Sequence, residues 1–151
     1  MILISHRGNT TGPIKDMENN PTYIDNAIKN GFQVEVDVWY TKNENNVLEL
    51  FLGHDEPQYA VSFKWLIDRI TKLWIHCKNI DAILFFKNCK HDFNYFWHEN
   101  DTITLTSQND IWAFPGKQPI EQSIAVMPEI FNDDITKAKG ICSDLIKNYK
   151  K

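Results

Sequence analysis

The chain has 151 residues, 16 Lys+Arg against 20 Asp+Glu for a net charge of -4, with 42% hydrophobic and 13% aromatic residues. That apolar mass supplies one core and excludes a disordered chain, while the length excludes two full domains, so residues 1–151 are expected to form a single domain. The acidic balance argues against nonspecific nucleic-acid binding and against an anionic membrane surface, and no run nears the roughly 18 apolar residues of a membrane span.

Residues 2–5 read as a first strand ending at His6-Arg7-Gly8-Asn9, and a polar loop with Gly12, Pro13 and Pro21 follows. Residues 23–29 put Tyr23, Ile24, Ala27 and Ile28 on one helical face, with Gly31 as the stop. Residues 32–39 alternate strictly, with Val34, Val36 and Val38 on one face and Glu35, Asp37 and Trp39 on the other. A turn at 43–46 precedes a strand at 47–52, which ends at Gly53-His54-Asp55-Glu56-Pro57. Residues 62–72 predict an amphipathic helix through Phe63, Leu66, Ile67 and Ile70. A strand at 73–77, a short helix at 80–87 and a strand at 94–97 come next. Beyond residue 101 the pattern gives strands at 102–106, 111–114, 123–127 and 140–142, with one short helix within 131–139.

Alternating strands and helices predict an α/β fold with parallel strands, whose active groups collect at the strands' carboxyl ends. Polar residues recur at those ends: His6-Arg7, Glu35 with Asp37, His54-Asp55, His76 with Lys78, His98-Glu99, Glu129 and Asp144. Glu35 and Asp37, two apart on a strand, point the same way among valines. Paired carboxylates on a buried face are costly without a compensating cation, and a hard divalent ion such as Mg²⁺ or Ca²⁺ meets that need. The competing reading is a strand with one solvated face.

His6 and His54 each end an apolar strand, and histidines on either side of a substrate can serve as acid and base. Arg7 and Asp55 follow them as partners for substrate or ring. Arg7 suits phosphate through its planar guanidinium, and Lys78, on the side of His76, can bind a phosphate oxygen or balance the carboxylates. Trp39 shares the face of Glu35 and Asp37, whereas the other strand tryptophans read as packing. No Walker A, GxGxxG, HExxH, GxSxG or zinc-finger spacing occurs.

Together the motifs HRGN at 6–9, Glu18-Asn19, VEVDVWYT at 34–41, GHDE at 53–56 and GICSD at 140–144 resemble the glycerophosphodiester phosphodiesterase family, within the phosphatidylinositol-phospholipase-C-like barrels. The resemblance is strongest in the first half and thins after Lys78. It implies a metal-dependent phosphodiester hydrolase of the (β/α)8 type, here a compact, pared-down barrel with several outer helices missing in the second half, since an ordinary barrel takes about 250 residues. It implies general acid–base roles for His6 and His54, metal ligation by Glu35 and Asp37, and phosphate contact by Arg7. Glu18, Asn19 and Asp144 occupy supporting motif positions.

His76-Cys77-Lys78 departs from the family's E-x-K pattern, with histidine where an acidic ligand is usual. His76 as a ligand admits Mn²⁺ or Zn²⁺ beside Mg²⁺ and Ca²⁺, or leaves room for Glu129 to supply the carboxylate. The same departure opens the alternative of a noncatalytic ligand-binding or assembly protein on a degenerate phosphodiesterase fold. A different lyase or hydrolase acting on a phosphorylated sugar is a third reading. The expected partners are a small phosphodiester or sugar phosphate and, to cover a side short of helices, a second subunit. The absence of a signal-peptide pattern and the widely spaced Cys77, Cys89 and Cys142 predict a cytoplasmic protein.

Overall fold

The computed structural model describes residues 1–151. Ten strands form one curled mixed sheet: β1 (Ile2–His6), β2 (Gln33–Lys42), β3 (Leu48–Leu52), β4 (Tyr59–Val61), β5 (Leu73–Cys77), β6 (Asn94–Phe96), β7 (Ile103–Leu105), β8 (Ile111–Ala113), β9 (Ser123–Val126) and β10 (Gly140–Ser143). Three α-helices accompany them, α1 (Pro21–Lys29), α2 (Phe63–Ile67) and α3 (Ile80–Asn88). Parallel pairing runs β6-β5-β2-β1-β10-β9-β8, and β3, β4 and β7 join antiparallel.

This is a half-barrel and corrects the expected (β/α)8-type barrel, pared down or not. Such a barrel needs each parallel strand followed by a helix. Here no α-helix follows β6, β8 or β9, and three strands run antiparallel. The strand ladder stops at β6, which meets the β7–β8 hairpin through Ser107 N–H to the Tyr95 carbonyl and Thr104 Oγ1 to the Trp97 carbonyl.

The two faces of the sheet follow the period-two alternation of its strands. Val34, Val36 and Val38 of β2 and Leu73 and Ile75 of β5 face outward and pack with Ile24, Leu66, Ala82 and Phe86 from the three helices. The concave face holds Ile4, Trp74, Phe96, Trp112, Ile124 and Cys142. A third cluster, Phe32, Ile141 and Ile146, covers the outside of β1 and β10 with a 3-10 turn at Ile146–Tyr149. No helix is long and apolar enough to cross a membrane.

Two local expectations change. The helix over 62–72 ends at Ile67, and the chain continues in tighter turns, Arg69 N–H to Leu66 and Ile70 N–H to Ile67. Those turns bring the Lys72 carbonyl to Val34 N–H at 2.8 Å, which starts β5 in register with β2. The helix expected within 131–139 does not form. A 3-10 turn at Pro128–Ile130 precedes this stretch, and Asp134 spends its carboxylate on Thr136 N–H and Oγ1, a local bond that competes with helix.

Candidate functional site

Strand β2 creates the site because its partner changes along one edge. Residues Gln33 to Glu35 pair with β1 and residues Val38 to Lys42 with β3, while β5 runs along the other edge. Between β1 and β3 lies a gap at Asp37. The Asn19 side chain fills it, with Oδ1 accepting from Asp37 N–H at 3.0 Å and Nδ2 donating to Asp37 Oδ2 at 2.9 Å. Asn19 does this from a left-handed backbone, φ 62°, which asparagine tolerates better than most residues.

The two ends bordering the gap turn sharply. Arg7 N–H bonds the Glu35 carbonyl with φ at 54°, an uncommon conformation for arginine that sends its side chain across Asp37. Gly53 N–H bonds the Asp37 carbonyl with φ at 152°, where a Cβ would collide with the Glu56 carbonyl, so only glycine fits before His54. Trp39 Nε1 donates to the Gly53 carbonyl at 2.7 Å, so this tryptophan positions the His54 loop.

Glu35, Asp37 and His76 offer ligand atoms all within 4.8 Å of one another. His76 Nδ1 lies 3.1 Å from Asp37 Oδ1 and 3.7 Å from Glu35 Oε1. Its Nε2 donates to the His98 carbonyl at 2.8 Å, and Phe96 stacks on its ring at 5.2 Å. A ring held by Nε2–H presents Nδ1 to an ion, the second contact that fixes metal-binding histidines. Glu35 Oε2 and Asp37 Oδ1 are buried and lack hydrogen-bond partners. Orphaned carboxylate oxygens beside an imidazole nitrogen form a donor set that fits a divalent cation.

Cations and histidines border this cluster. Arg7 Nε lies 3.0 Å and Lys78 Nζ 3.7 Å from Asp37 oxygens, and Glu18 takes Arg7 Nη1 at 3.1 Å. His6 Nδ1 bonds Asp144 Oδ1 at 2.8 Å, leaving Nε2 3.8 Å from Glu35. His54 Nδ1 is 3.3 Å from Asp37 Oδ2 and its Nε2 3.3 Å from Arg7 Nη2. Asp55 stands 3.7 Å from His54 with a side chain 95% exposed. A polar cavity of about 410 Å³ opens over Arg7 and His54, with Lys15 and Gln58 at its edge and no hydrophobic residue in its wall.

The charges set the protonation states. Burial pushes the Asp37 carboxyl up, but the close imidazoles of His54 and His76 and the Arg7 charge hold it well below the ordinary range. Without an ion, burial opposes charge on His76, yet the Asp37 and Glu35 carboxylates lift it to about 9, so a cation taking Nδ1 would displace a proton. For His6 the burial penalty is likewise overcome by the Asp144 bond and Glu35 charge, so its pKa rises, and burial-opposed Asp144 falls in return. Around Asp37 the arrangement can fix an anion, shift protons through two imidazoles, and hold a cation at the carboxylates.

Of the thirteen residues expected at the site, Glu129 lies elsewhere: its oxygens accept from Ser143 Oγ at 2.6 Å and Tyr149 Oη at 3.1 Å. It therefore does not complete the cluster of Glu35, Asp37 and His76. Two residues outside those thirteen, Asn9 of the HRGN motif and the strand-end His98, also belong here. Asn9, fully buried, donates to both Glu18 and Asp144 and accepts from Ile14 N–H and Tyr23 Oη. Its place at the end of HRGN was the available signal. His98 lines the concave face beyond Phe96, two residues further along the same alternation. Burial and then the His76 charge lower its pKa. Comparison of the chain with protein-family models, curated proteins and solved structures finds no match.

Proposed function

We infer that the chain is a metal-assisted phosphodiesterase acting on glycerophosphodiesters or related small phosphodiesters, as the motif resemblance implies. The observation that carries this reading is the pair of buried oxygens without hydrogen bonds, Glu35 Oε2 at 3.8 Å from His6 Nε2 and Asp37 Oδ1 at 3.1 Å from His76 Nδ1, with Arg7 and Lys78 beside them. Glu35, Asp37 and His76 would hold the ion, Mg²⁺ or Ca²⁺ by the carboxylates, with Mn²⁺ or Zn²⁺ admitted by the imidazole. When bound, it supplies Lewis-acid polarisation of the phosphoryl oxygens. Arg7 and Lys78 bind the phosphate and the charge that develops on it. His6, oriented by Asp144, and His54, oriented by Asp37, share the base and acid parts, one taking the nucleophile's proton and the other giving one to the leaving oxygen.

The polar cavity over Arg7 and His54 supports a small hydrophilic leaving group. Free Cys77, Cys89 and Cys142 support a reducing compartment, which we take to be the cytoplasm. A second subunit over the helix-poor half is part of the same reading. One observation favours the rival reading of a noncatalytic anion binder: Arg7, Lys78 and protonated His76 already balance both carboxylates without a metal.

Turnover of a glycerophosphodiester in Mg²⁺ decides between them. His6→Ala and His54→Ala are each expected to lower kcat by about 10²-fold or more, and Asp37→Asn to abolish calorimetric ion binding. Wild-type rates in either histidine variant would remove the acid–base pairing, and binding of phosphate without any ion would favour the rival.

A further inference from the structure

We propose that His98 reads a hydroxyl group on the alcohol part of the ligand, next to the phosphate bound by Arg7 and Lys78; the inference deepens the phosphodiester reading and rests on it. His98 follows β6 at the carboxyl end of the sheet, on the concave face shared with His76. Its backbone carbonyl accepts from His76 Nε2 at 2.8 Å, so its place relative to the metal-ligand cluster is fixed. Its ring centre lies 6.5 Å from that of His76 and 3.8 Å from that of Phe114.

The residue is only 7% exposed, and neither Nδ1 nor Nε2 has a hydrogen-bond partner. An imidazole buried without partners costs the full desolvation of its polar atoms, so such groups in folded proteins are generally satisfied by something. Asp101 Oδ2 lies 3.7 Å from Nδ1, just outside bonding distance, on a side chain 61% exposed. Asp101 is thus the acceptor placed nearest to Nδ1–H, and a ring with its proton on Nδ1 leaves Nε2 as an acceptor. An acceptor nitrogen needs a donor. Ionised phosphate oxygens have none to give, whereas a hydroxyl one or two carbons from the phosphate does. Phe114 packs against the ring, an apolar neighbour that suits the carbon frame of a polyol better than a second charge.

The probes are glycerol 3-phosphate and ethyl phosphate, each titrated by calorimetry with Mg²⁺ into the full chain. They carry the same phosphate and differ in hydroxyls. The wild type is expected to hold glycerol 3-phosphate about tenfold tighter or more. That ratio falls to about one in His98→Phe and is largely kept in His98→Gln, whose amide still accepts a hydroxyl proton. Should His98→Phe not fold, the His98 ring nitrogen resonances of the wild type give the same answer, moving with glycerol 3-phosphate and not with ethyl phosphate.

Equal affinities in the wild type, binding of neither probe, or a ratio that survives in His98→Phe would overturn the proposal. Turnover is scored separately. A chain that discriminates the two probes through His98 but cleaves no phosphodiester defeats the phosphodiesterase reading alone. A chain that cleaves diesters while binding both probes equally defeats the role of His98 alone.

Discussion

Strands β2 and β5 turn Val34, Val36, Val38, Leu73 and Ile75 toward three helices, whereas β8 and β9 bury Ala113 and Ala125 although no α-helix follows either strand. All seven are buried, so both halves of the sheet are covered. The difference is in what the outward side chains require. Branched residues stand high above the sheet and need the bulky surface of a helix to interdigitate with. Two alanines leave so little relief that irregular backbone can lie close, and here the connections after β8 and β9 tie to each other through Gly116 N–H to Asp133 and Gln122 N–H to the Lys137 carbonyl. The helix-backed strands also carry Glu35, Asp37 and His76, with Lys78 just past β5 and His54 just past β3, while His6 and Asp144 come from the ends of β1 and β10, and none of these residues comes from β8 or β9. Rigid support and site chemistry thus coincide.

If that contrast is right, the halves should fail in opposite ways. The helix-backed half should suffer most from lost volume. Leu66→Ala opens a cavity under α2, in the core cluster that also holds Val38, Leu52 and Phe86, and should cost about 2–5 kcal/mol. Urea titration checks it. A loss below about 1 kcal/mol would mean the helices are not the principal support of this half.

The loop-backed half should suffer from added volume. Ala125→Leu puts three extra carbons between β9 and its loops and should cost about 1–3 kcal/mol, again by urea titration. Ala125→Gly, which adds nothing, should cost less than Leu66→Ala. A neutral Ala125→Leu would show that the loops yield freely, and the contrast would blur.

The same contrast explains what could be read from residues alone. Val34, Val36 and Val38 against Glu35, Asp37 and Trp39 is a period-two pattern that fixes both faces of β2, and helices over 23–29 and 80–87 follow from apolar spacing. The fold class did not follow. Short alternating runs after residue 101 are compatible with parallel or antiparallel pairing, and Ala113 and Ala125 give no sign of what covers them. Strand β4, three residues at Tyr59–Val61, carries too little pattern to find. Within the site, residue types and strand-end positions were visible, but Asn19 filling a gap in the β2 edge is a matter of register. Glu129 looked equally apt by sequence and is turned away because Ser143 and Tyr149 take both its oxygens.

That last trio gives the smallest expected effect and probes the seam where the two halves meet. Ser143 lies on β10, and Tyr149 on the 3-10 turn that covers β1 and β10. Burial, then the charge of Glu129, raises the Tyr149 phenol to about 12. A raised pKa means that the folded chain holds the proton more firmly than the unfolded chain, whose phenol titrates near 10. The stabilisation is therefore fully present below pH 10 and is lost as pH climbs through about 12. Tyr149→Phe should cost under about 1 kcal/mol at pH 7, since the lost bond is partly solvent-screened, and should flatten the alkaline fall in Tm. An alkaline limb that keeps its slope in Tyr149→Phe would assign the loss to other groups and leave Glu129 held by Ser143 alone. Glu129→Gln separates the two contacts, because the amide still accepts from Ser143 yet removes the charge that raises the phenol. Its alkaline limb should shift toward lower loss, between the wild type and Tyr149→Phe.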